Sequence, residues 1–183
     1  KKLIKVGICG EKSVILENIS ERMRFSGIIS AKVDTKGRVF LPSAFRKQLP
    51  EEDMAFVIKR DVHQPCLVIY PRKVWDAEVD MLTSRLNRWN PREAMVLRQF
   101  LADAETFVLD NNGRLLLSRR LMQATDIDKE VMFLGMDDRI EIWNKNRGSK
   151  PFISDGDFGR IIEELMGRPD GNNAATDTAH ISQ

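Results

Sequence analysis

Apolar and polar residues alternate in short runs along much of the chain, and this alternation predicts short β-strands separated by turns. The pattern occurs twice: residues 31–46 (AKVDTKGRVFLPSAFR) resemble residues 107–122 (FVLDNNGRLLLSRRLM) at a constant offset of 76 positions. The correspondence continues from residues 54–58 to residues 130–134 at the same offset. Each copy predicts the order strand, tight turn, strand, short helix, strand, loop and strand. The chain therefore contains two copies of one small module.

Both copies place an Asp-x-x-Gly sequence between their first two strands, which predicts a tight hairpin turn. Gly37 and Gly113 tolerate the positive φ that such a turn requires. Asp34 and Asp110 can accept hydrogen bonds from the backbone two residues further on. We therefore assign these four residues to turn formation rather than to a direct role in binding.

Apolar residues spaced three or four positions apart predict longer helices outside the modules. The first covers residues 72–89 and ends at the pair Asn90-Pro91, because proline interrupts a helix. A second covers residues 92–104, between the two modules, and a closing helix covers residues 154–167. These helices are expected to lie outside the β-strands.

A short helix is predicted inside each module, beginning at Pro42 or Ser43 in the first copy and at Ser118 in the second. Large apolar side chains in and near the helices and strands are expected to pack in the core or in a subunit interface. They are Trp75, Trp89, Trp143, Met81, Met95, Met132 and Met136.

Neither module has enough apolar positions to close a core alone, because each offers only four short strands. We therefore predict a single pseudo-two-fold β-barrel with peripheral helices, in the mixed α+β class and mainly β. The predicted segments are an N-terminal extension outside the fold (residues 1–22), module 1 (23–76), a helical linker (77–103), module 2 (104–147), a C-terminal helix (148–167) and a disordered tail (168–183). Met23 is the expected natural start.

Composition and charge narrow the function classes. Of the 183 residues, 42% are hydrophobic and 31% are charged, which is typical of a globular protein. No apolar run reaches the ~18–20 residues that span a bilayer, so no membrane partner is expected. Cys9 and Cys66 are too few and too far apart for a disulfide scaffold or a zinc site, and we expect free thiols in the cytoplasm. No cofactor or metal is predicted.

The segment from Asp34 to Pro42 (DTKGRVFLP), with Arg46 four residues on, resembles the signature of the MraZ family, bacterial regulators that carry two SpoVT-AbrB-type modules. Residues 110–117 are similar to the second motif of that family. The sequences MRFSG at residues 23–27 and RIEIW at residues 139–143 are also similar to family segments, so the resemblance covers about residues 23–167. Two departures occur in the second motif, where Asn112 replaces the usual lysine and Ser118 the usual proline.

The resemblance implies a tandem-repeat double-split, or swapped-hairpin, β-barrel. It also implies assembly of several protomers into a ring that binds short repeated sites on double-stranded DNA. Those sites lie upstream of the division and cell-wall gene cluster that includes the protein's own gene, and the usual effect is repression. A cytoplasmic, nucleoid-associated homo-oligomer follows from the same resemblance.

Local charge supports a DNA partner although the formal net charge of the whole chain is only +2. Residues 32–47 carry five cations and one carboxylate, whereas residues 104–120 carry three cations and two carboxylates. A two-stranded ribbon fits the major groove of B-form DNA, and arginine pairs bidentately with guanine. We therefore expect Arg38 to contact bases, Lys36 to contact the backbone and Arg114 to be a weaker second base contact. Lys32 and Arg46 complete the predicted DNA-binding set.

Two other functions compete with DNA regulation. An enzyme is disfavoured because the sequence contains no phosphate-binding glycine loop, dinucleotide fingerprint or zinc-protease motif, and its histidines are His63 and His180 alone. No small-molecule substrate is therefore expected. The alternative is an antitoxin-like interaction module with a C-terminal partner-binding tail. The tail has few apolar anchors, and such antitoxins usually carry one module copy, so DNA regulation is preferred.

Overall fold

The computed structural model describes residues 24–49 and 55–167 of the chain. The predicted extension over residues 1–22, the start at Met23 and the tail over residues 168–183 lie outside the described residues. The chain divides into two compact units, with the division between Ser149 and Lys150.

The elements of the first unit follow the predicted order in both modules. Its described strands are β1 (Ile28–Lys32), β2 (Arg38–Phe40), β3 (Ala55–Arg60), β4 (Leu67–Pro71), β5 (Glu105–Val108), β6 (Arg114–Leu116), β7 (Glu130–Met136) and β8 (Arg139–Asn144). Its described helices are α1 (Ser43–Arg46), α2 (Arg72–Arg85), α3 (Pro91–Ala102), α4 (Arg119–Ala124) and α5 (Lys145–Gly148). The mixed class of strands and helices is therefore confirmed.

All strand pairs are antiparallel. Six strands form one sheet in the order β1-β7-β8-β4-β3-β5, and β2 pairs with β6 in a separate two-stranded ribbon. The equivalent strands of the two modules are β1 and β5, β2 and β6, β3 and β7, and β4 and β8. Replacing each strand by its equivalent reverses the order of the six-stranded sheet and leaves the β2–β6 pairing of the ribbon unchanged. The sequence repeat therefore appears as a pseudo-two-fold relation between strand pairings.

Strand pairing crosses between the two modules. The two strands that flank each turn do not form a ladder with each other, and β1 and β2 meet only at an isolated bridge between Val33 and Val39. Instead β1 pairs with β7 and β5 pairs with β3, so each module places its first strand beside the other module's third strand. The exchange brings the ribbon residues Val39 and Leu115, which are 0% and 1% exposed, into one shared core.

The apolar core lies on both faces of the six-stranded sheet. Alternate residues of β4 separate accordingly: Leu67 and Ile69 belong to the cluster that includes the ribbon, whereas Val68 and Tyr70 belong to a second cluster with Trp75 of α2. The continuous apolar run of β4 is typical of a strand covered on both faces. The ring of Trp75 stacks on Phe100 of α3 with centroids 5.4 Å apart, so the linker helices cover the face opposite the ribbon.

The helix predicted over residues 72–89 ends earlier, at Arg85. The backbone N–H of Asn87 donates to Glu93 at 2.6 Å, and the Asn87 side chain accepts from the backbone of Trp89 at 3.0 Å. These bonds hold a corner between the helices in place of another helical turn. Trp89 is 95% exposed there, so its predicted core position is wrong, and a role in a subunit interface stays a prediction.

The packing predictions for the other two tryptophans and for the methionines have mixed outcomes. Trp75 and Trp143 are buried as predicted. Three of the methionines, Met81, Met95 and Met136, are exposed because they lie on the outer faces of α2 and α3 and at the end of β7, whereas Met132 packs against the second cluster.

The second unit contains helix α6 (Asp155–Met166), close to the predicted bounds. Ser154 caps it by accepting a hydrogen bond from the backbone of Asp157 at 3.2 Å. The apolar side chains Phe158, Ile162 and Leu165 of this helix are exposed. Within the described part of the chain, no helix is long and apolar enough to cross a membrane.

Candidate nucleic-acid interface

The first turn is organised by the carboxylate of Asp34. Its Oδ1 accepts the backbone N–H groups of Lys36 and Arg38, each at 2.9 Å, and its Oδ2 accepts Nε of Arg38 at 2.8 Å. The Nη2 atom of Arg38 lies 2.7 Å from the same oxygen. Gly37 adopts φ +81°, which closes the turn. Asp34 therefore forms the turn and also orients the Arg38 guanidinium.

The second turn repeats this arrangement. Oδ1 of Asp110 accepts the backbone N–H groups of Asn112 and Arg114, each at 2.9 Å, and Oδ2 accepts Nε of Arg114 at 2.7 Å. Gly113 has φ +77°. The absence of the family's lysine at Asn112 therefore leaves the turn geometry unchanged, because the turn uses only the backbone of that residue.

The two arginines lie on one face of the β2–β6 ribbon. Arg38 pairs with Leu116, and Phe40 pairs with Arg114. Val39 and Leu115, which lie between these residues on the two strands, are buried in the core. Because side chains alternate along a strand, the other four side chains share the outer face of the ribbon. The arginines occupy one diagonal of that face and the apolar residues the other. The Arg114 guanidinium lies over the ring of Phe40, 5.6 Å from its centroid.

Arg46 lies beside the second turn although it belongs to the first module. Its Nη1 donates to the backbone oxygen of Asn112 at 3.4 Å. Its guanidinium also packs against Gly113 so closely that a Cβ at that position would overlap Nη1. The first module thus supplies a cation to the turn that lacks a lysine of its own.

Cations of the second module also lie near the first turn, as lining residues of a groove. An open groove of about 800 Å³ runs beside it, lined by Lys32 and Lys36 from the first module and by Arg119 and Lys129 from the second. Acidic groups line it as well, among them Asp34. Both turns therefore lie near cations of the other module, and the groove beside the first turn also contains the carboxylates of Asp128 and Glu130.

The neighbouring Arg120 is held differently. Its guanidinium forms ion pairs with Asp103 at 3.0 Å and with Glu105 at 2.9 Å. Glu105 also accepts from the hydroxyl of Ser118, which caps α4 as predicted. Arg120 therefore ties the linker and β5 to α4, and its charge is largely matched by carboxylates.

The turn aspartates stay ionised far below neutral pH. Hydrogen bonds from the Arg38 backbone, and then from its side chain, lower the pKa of Asp34 from 3.8 to about 2. The equivalent bonds from Arg114 lower the pKa of Asp110. At neutral pH both arginines are therefore held by fully charged partners, although these exposed pairs contribute little to overall stability.

The structure brings the predicted residues together in two places: Arg38 and Arg114 on the ribbon, and Lys32, Lys36 and Arg46 beside the turns. Sequence reasoning did not place Arg119 or Lys129 in this set. The charge within each repeat could not reveal them, because they reach the first turn only through the exchange of strands. The exposed Phe40 and Leu116 were also missed, although their equivalent positions in the repeat were visible.

Among the described residues, no group of three or more His, Cys, Asp and Glu side chains could hold a metal ion. Cys66 is buried, and burial raises the pKa of its thiol above the ordinary value. The candidate site among the described residues thus consists of the oriented arginines of the ribbon and the cations beside the turns.

Comparison with known proteins identifies the family of this chain. A family model described as "MraZ protein, putative antitoxin-like" matches residues 25–99 and 100–149. A relative named "Transcriptional regulator MraZ" from Phocaeicola vulgatus is 48% identical over 79% of this chain and 95% of its own length. Relatives of the same name from Bacteroides fragilis and Yersinia pestis are 46% and 37% identical, over 79% and 78% of this chain and 92% and 93% of their own lengths. The chain therefore belongs to the MraZ family, a family of transcriptional regulators and not of enzymes.

Proposed function

We propose that this chain is a sequence-specific DNA-binding transcriptional regulator that acts as a homo-oligomer on repeated double-stranded sites. We further propose that it represses the division and cell-wall gene cluster that includes its own gene, in the cytoplasm at the nucleoid. The observation that carries the proposal is the duplicated Asp–Arg turn, which presents Arg38 and Arg114 on one exposed ribbon face.

The ribbon suits the major groove for two physical reasons. A two-stranded β-ribbon has the width that the groove admits, and arginine matches the two acceptors on the guanine edge. An aspartate holds each arginine through its Nε atom, and Nη2 of Arg38 also contacts the carboxylate of Asp34. Because a guanidinium carries five N–H donors, each arginine keeps donors that a guanine could accept. Orientation before binding reduces the entropy lost when the arginine meets a base.

The surrounding cations are assigned to the phosphate backbone. Lys32, Lys36, Arg119 and Lys129 line the groove beside the first turn, and Arg46 lies at the second. Contacts of this kind set register and affinity without reading sequence. Because one protomer offers few such contacts, binding of single sites would be weak, on the order of the ~10⁻⁴–10⁻⁶ M typical of non-specific complexes.

Oligomerisation follows from that weakness. Joining several modules in one ring would raise the apparent affinity by ~10²–10⁴ if the DNA carries correctly spaced repeats. The exposed Trp89 is a candidate for a subunit contact, since large aromatic residues dominate the energetics of interfaces.

Within each protomer we assign the sheet and the ribbon to a double-split barrel. Backbone hydrogen bonds from Leu41 to Gly113 and from Leu117 to Gly37 support it, since they join the ends of the ribbon to the opposite turns.

The test is fluorescence anisotropy with DNA from the region upstream of the protein's own gene cluster and with a shuffled control. Arg38→Ala should lose about 5- to 150-fold in affinity for the native probe, which corresponds to the ~1–3 kcal/mol of one bidentate base contact. Affinity for the shuffled probe should change far less. Arg98→Ala removes an equal charge from the exposed surface of α3 and should leave the preference intact.

Salt dependence separates base contacts from phosphate contacts. Lys36→Ala and Arg119→Ala should weaken binding to both probes alike and should reduce the slope of log affinity against log salt by about 0.9 for each phosphate that is no longer neutralised. If the wild type binds neither probe, or binds both equally whether or not Arg38 is present, the regulator proposal fails. Co-purification of an unrelated small partner would then favour the antitoxin-like module.

A further inference from the structure

The outer face of the ribbon carries two exposed apolar side chains between its arginines. Phe40 is 56% exposed and Leu116 is 59% exposed. They occupy equivalent positions in the two modules, 76 residues apart, directly after the buried residues Val39 and Leu115. A single exposed apolar residue is ordinary in a globular protein. A pair related by the internal repeat and confined to the face that carries both arginines points to a shared role.

Each apolar side chain accompanies an arginine turn of the opposite module. The Arg114 guanidinium lies over the Phe40 ring, and the Leu116 side chain approaches the first turn, with Cδ1 3.7 Å from a Cβ built on Gly37. The face therefore contains two similar pairs, each with one cation and one apolar group. Cross-strand neighbours in such a ribbon lie about 5 Å apart, and alternate residues of one strand about 7 Å apart.

These spacings match the chemistry of the major groove. Guanine offers two acceptors to arginine, and thymine offers a methyl group, the only apolar group among the base edges of that groove. Bases along a strand are ~3.4 Å apart, so residues about 7 Å apart can meet bases separated by about two steps. The 5.6 Å approach of Arg114 also keeps Phe40 beside the proposed base contact.

We propose that Phe40 and Leu116 are specificity-determining residues that contact thymine methyl groups within one or two base steps of the guanines contacted by the arginines. The proposal rests on the proposed DNA-binding function and adds to it a second base type. It assigns the ribbon a mixed code in which arginine selects guanine and the apolar partner selects thymine. The cations beside the turns take no part in this selection.

The test replaces thymine by deoxyuridine, one position at a time, in the upstream DNA probe that wild-type protein prefers. This exchange removes a methyl group and leaves base pairing unchanged. Wild-type protein should lose about fourfold in affinity at one or more positions, the change expected when one methyl-sized group is no longer buried. Phe40→Ala or Leu116→Ala should bind the thymine and deoxyuridine probes equally at the corresponding position.

Val62→Ala is the matched control. Val62 is an exposed apolar residue, 66% accessible, in the loop between β3 and β4. This variant should keep the fourfold sensitivity at every position. Because the comparison is made within each variant between two probes, a general loss of affinity after Phe40→Ala does not imitate the expected result.

Two outcomes overturn the inference while leaving the regulator proposal standing. In the first, wild type prefers native DNA in an Arg38-dependent manner but responds to no deoxyuridine substitution. In the second, it does respond, and Phe40→Ala and Leu116→Ala both retain the full response. If wild type shows no preference for native DNA, the proposed function and the inference fail together.

Discussion

The turn glycines offer a sharp test of how the two modules are joined. Gly37 has φ +81°, and a Cβ added to it would lie 2.9 Å from the backbone oxygen of Leu117 in the other module. The same approach includes a hydrogen bond from the Leu117 N–H to the Gly37 oxygen at 2.8 Å. Gly37→Ala should therefore cost both backbone strain and a steric conflict that no side-chain rotation relieves.

The magnitude follows from comparison with two other glycines of positive φ. Gly27, at φ +90°, has no atom within 4 Å of an added Cβ, so Gly27→Ala isolates the backbone strain. A left-handed conformation costs an alanine ~1–2 kcal/mol, and the reduced entropy of the unfolded chain returns ~0.4–1 kcal/mol. We expect a net loss of about 1 kcal/mol for Gly27→Ala. For Gly37→Ala, whose conflict is with backbone, we expect about 2–3 kcal/mol.

Gly113→Ala is the intermediate case. Its φ of +77° carries the same strain, but the nearest atoms belong to the flexible side chain of Arg46, which can rotate away. The loss of stability should stay near that of Gly27→Ala, with a small addition because the hydrogen bond from Arg46 to Asn112 is displaced.

Urea unfolding at one fixed protein concentration is the measurement, because association would make apparent stability depend on concentration. The expected order of destabilisation is Gly37→Ala above Gly113→Ala, with Gly27→Ala lowest. A Gly37→Ala protein no less stable than Gly27→Ala would refute the rigid approach between the turn and the opposite module. Unchanged stability in all three would refute the argument from positive φ.

Three further predictions concern Asp34 and the cysteines. Asp34→Asn keeps an acceptor for the turn amides but removes the ionic partner of Arg38. The ratio of specific to non-specific DNA affinity should therefore fall. A preserved ratio would show that the carboxylate does not orient the arginine. Because the folded-state pKa of Asp34 is lowered to about 2, the stability that its ionised form adds is complete above its ordinary value of 3.8. That stability, measured against Asp34→Asn, should disappear as the pH falls through about 2. The substitution Cys9→Ser leaves Cys66 as the single thiol of the chain. This buried thiol should react with a thiol reagent only on unfolding, since burial raises its pKa. Rapid reaction of the native protein would contradict the burial of Cys66.

Much of the candidate interface was predictable from local sequence. The Asp-x-x-Gly-Arg pattern dictates a turn through the positive φ of glycine and the reach of an aspartate to amides two and four residues on. Both copies place Asp Oδ1 2.9 Å from each of those two amides. The identities of Arg38 and Arg114 as equivalent residues followed from the repeat alone.

The corner at Trp89 shows where periodicity misled. Apolar spacing extended the predicted helix to residue 89, but the helix ends at Arg85. Beyond it, the Asn87 N–H donates to Glu93 and the Trp89 N–H donates to the Asn87 side chain. Side-chain bonds of this kind compete with the helical backbone and leave no trace in hydrophobic spacing. The exposed position of Trp89 follows from the corner, not from the residue type.

The sequence by itself determined the repeat, the element types and the chemistry of each turn, because these depend on interactions between residues a few positions apart. Only the tertiary structure decided which strands pair, and hence that Arg46 reaches the second turn while Arg119 reaches the first. Alternation tells which face of a strand is buried, but any strand with a matching face can serve as its hydrogen-bond partner. The exchange between modules places Val39 and Leu115 in one core and brings cations from both halves of the chain to the turns.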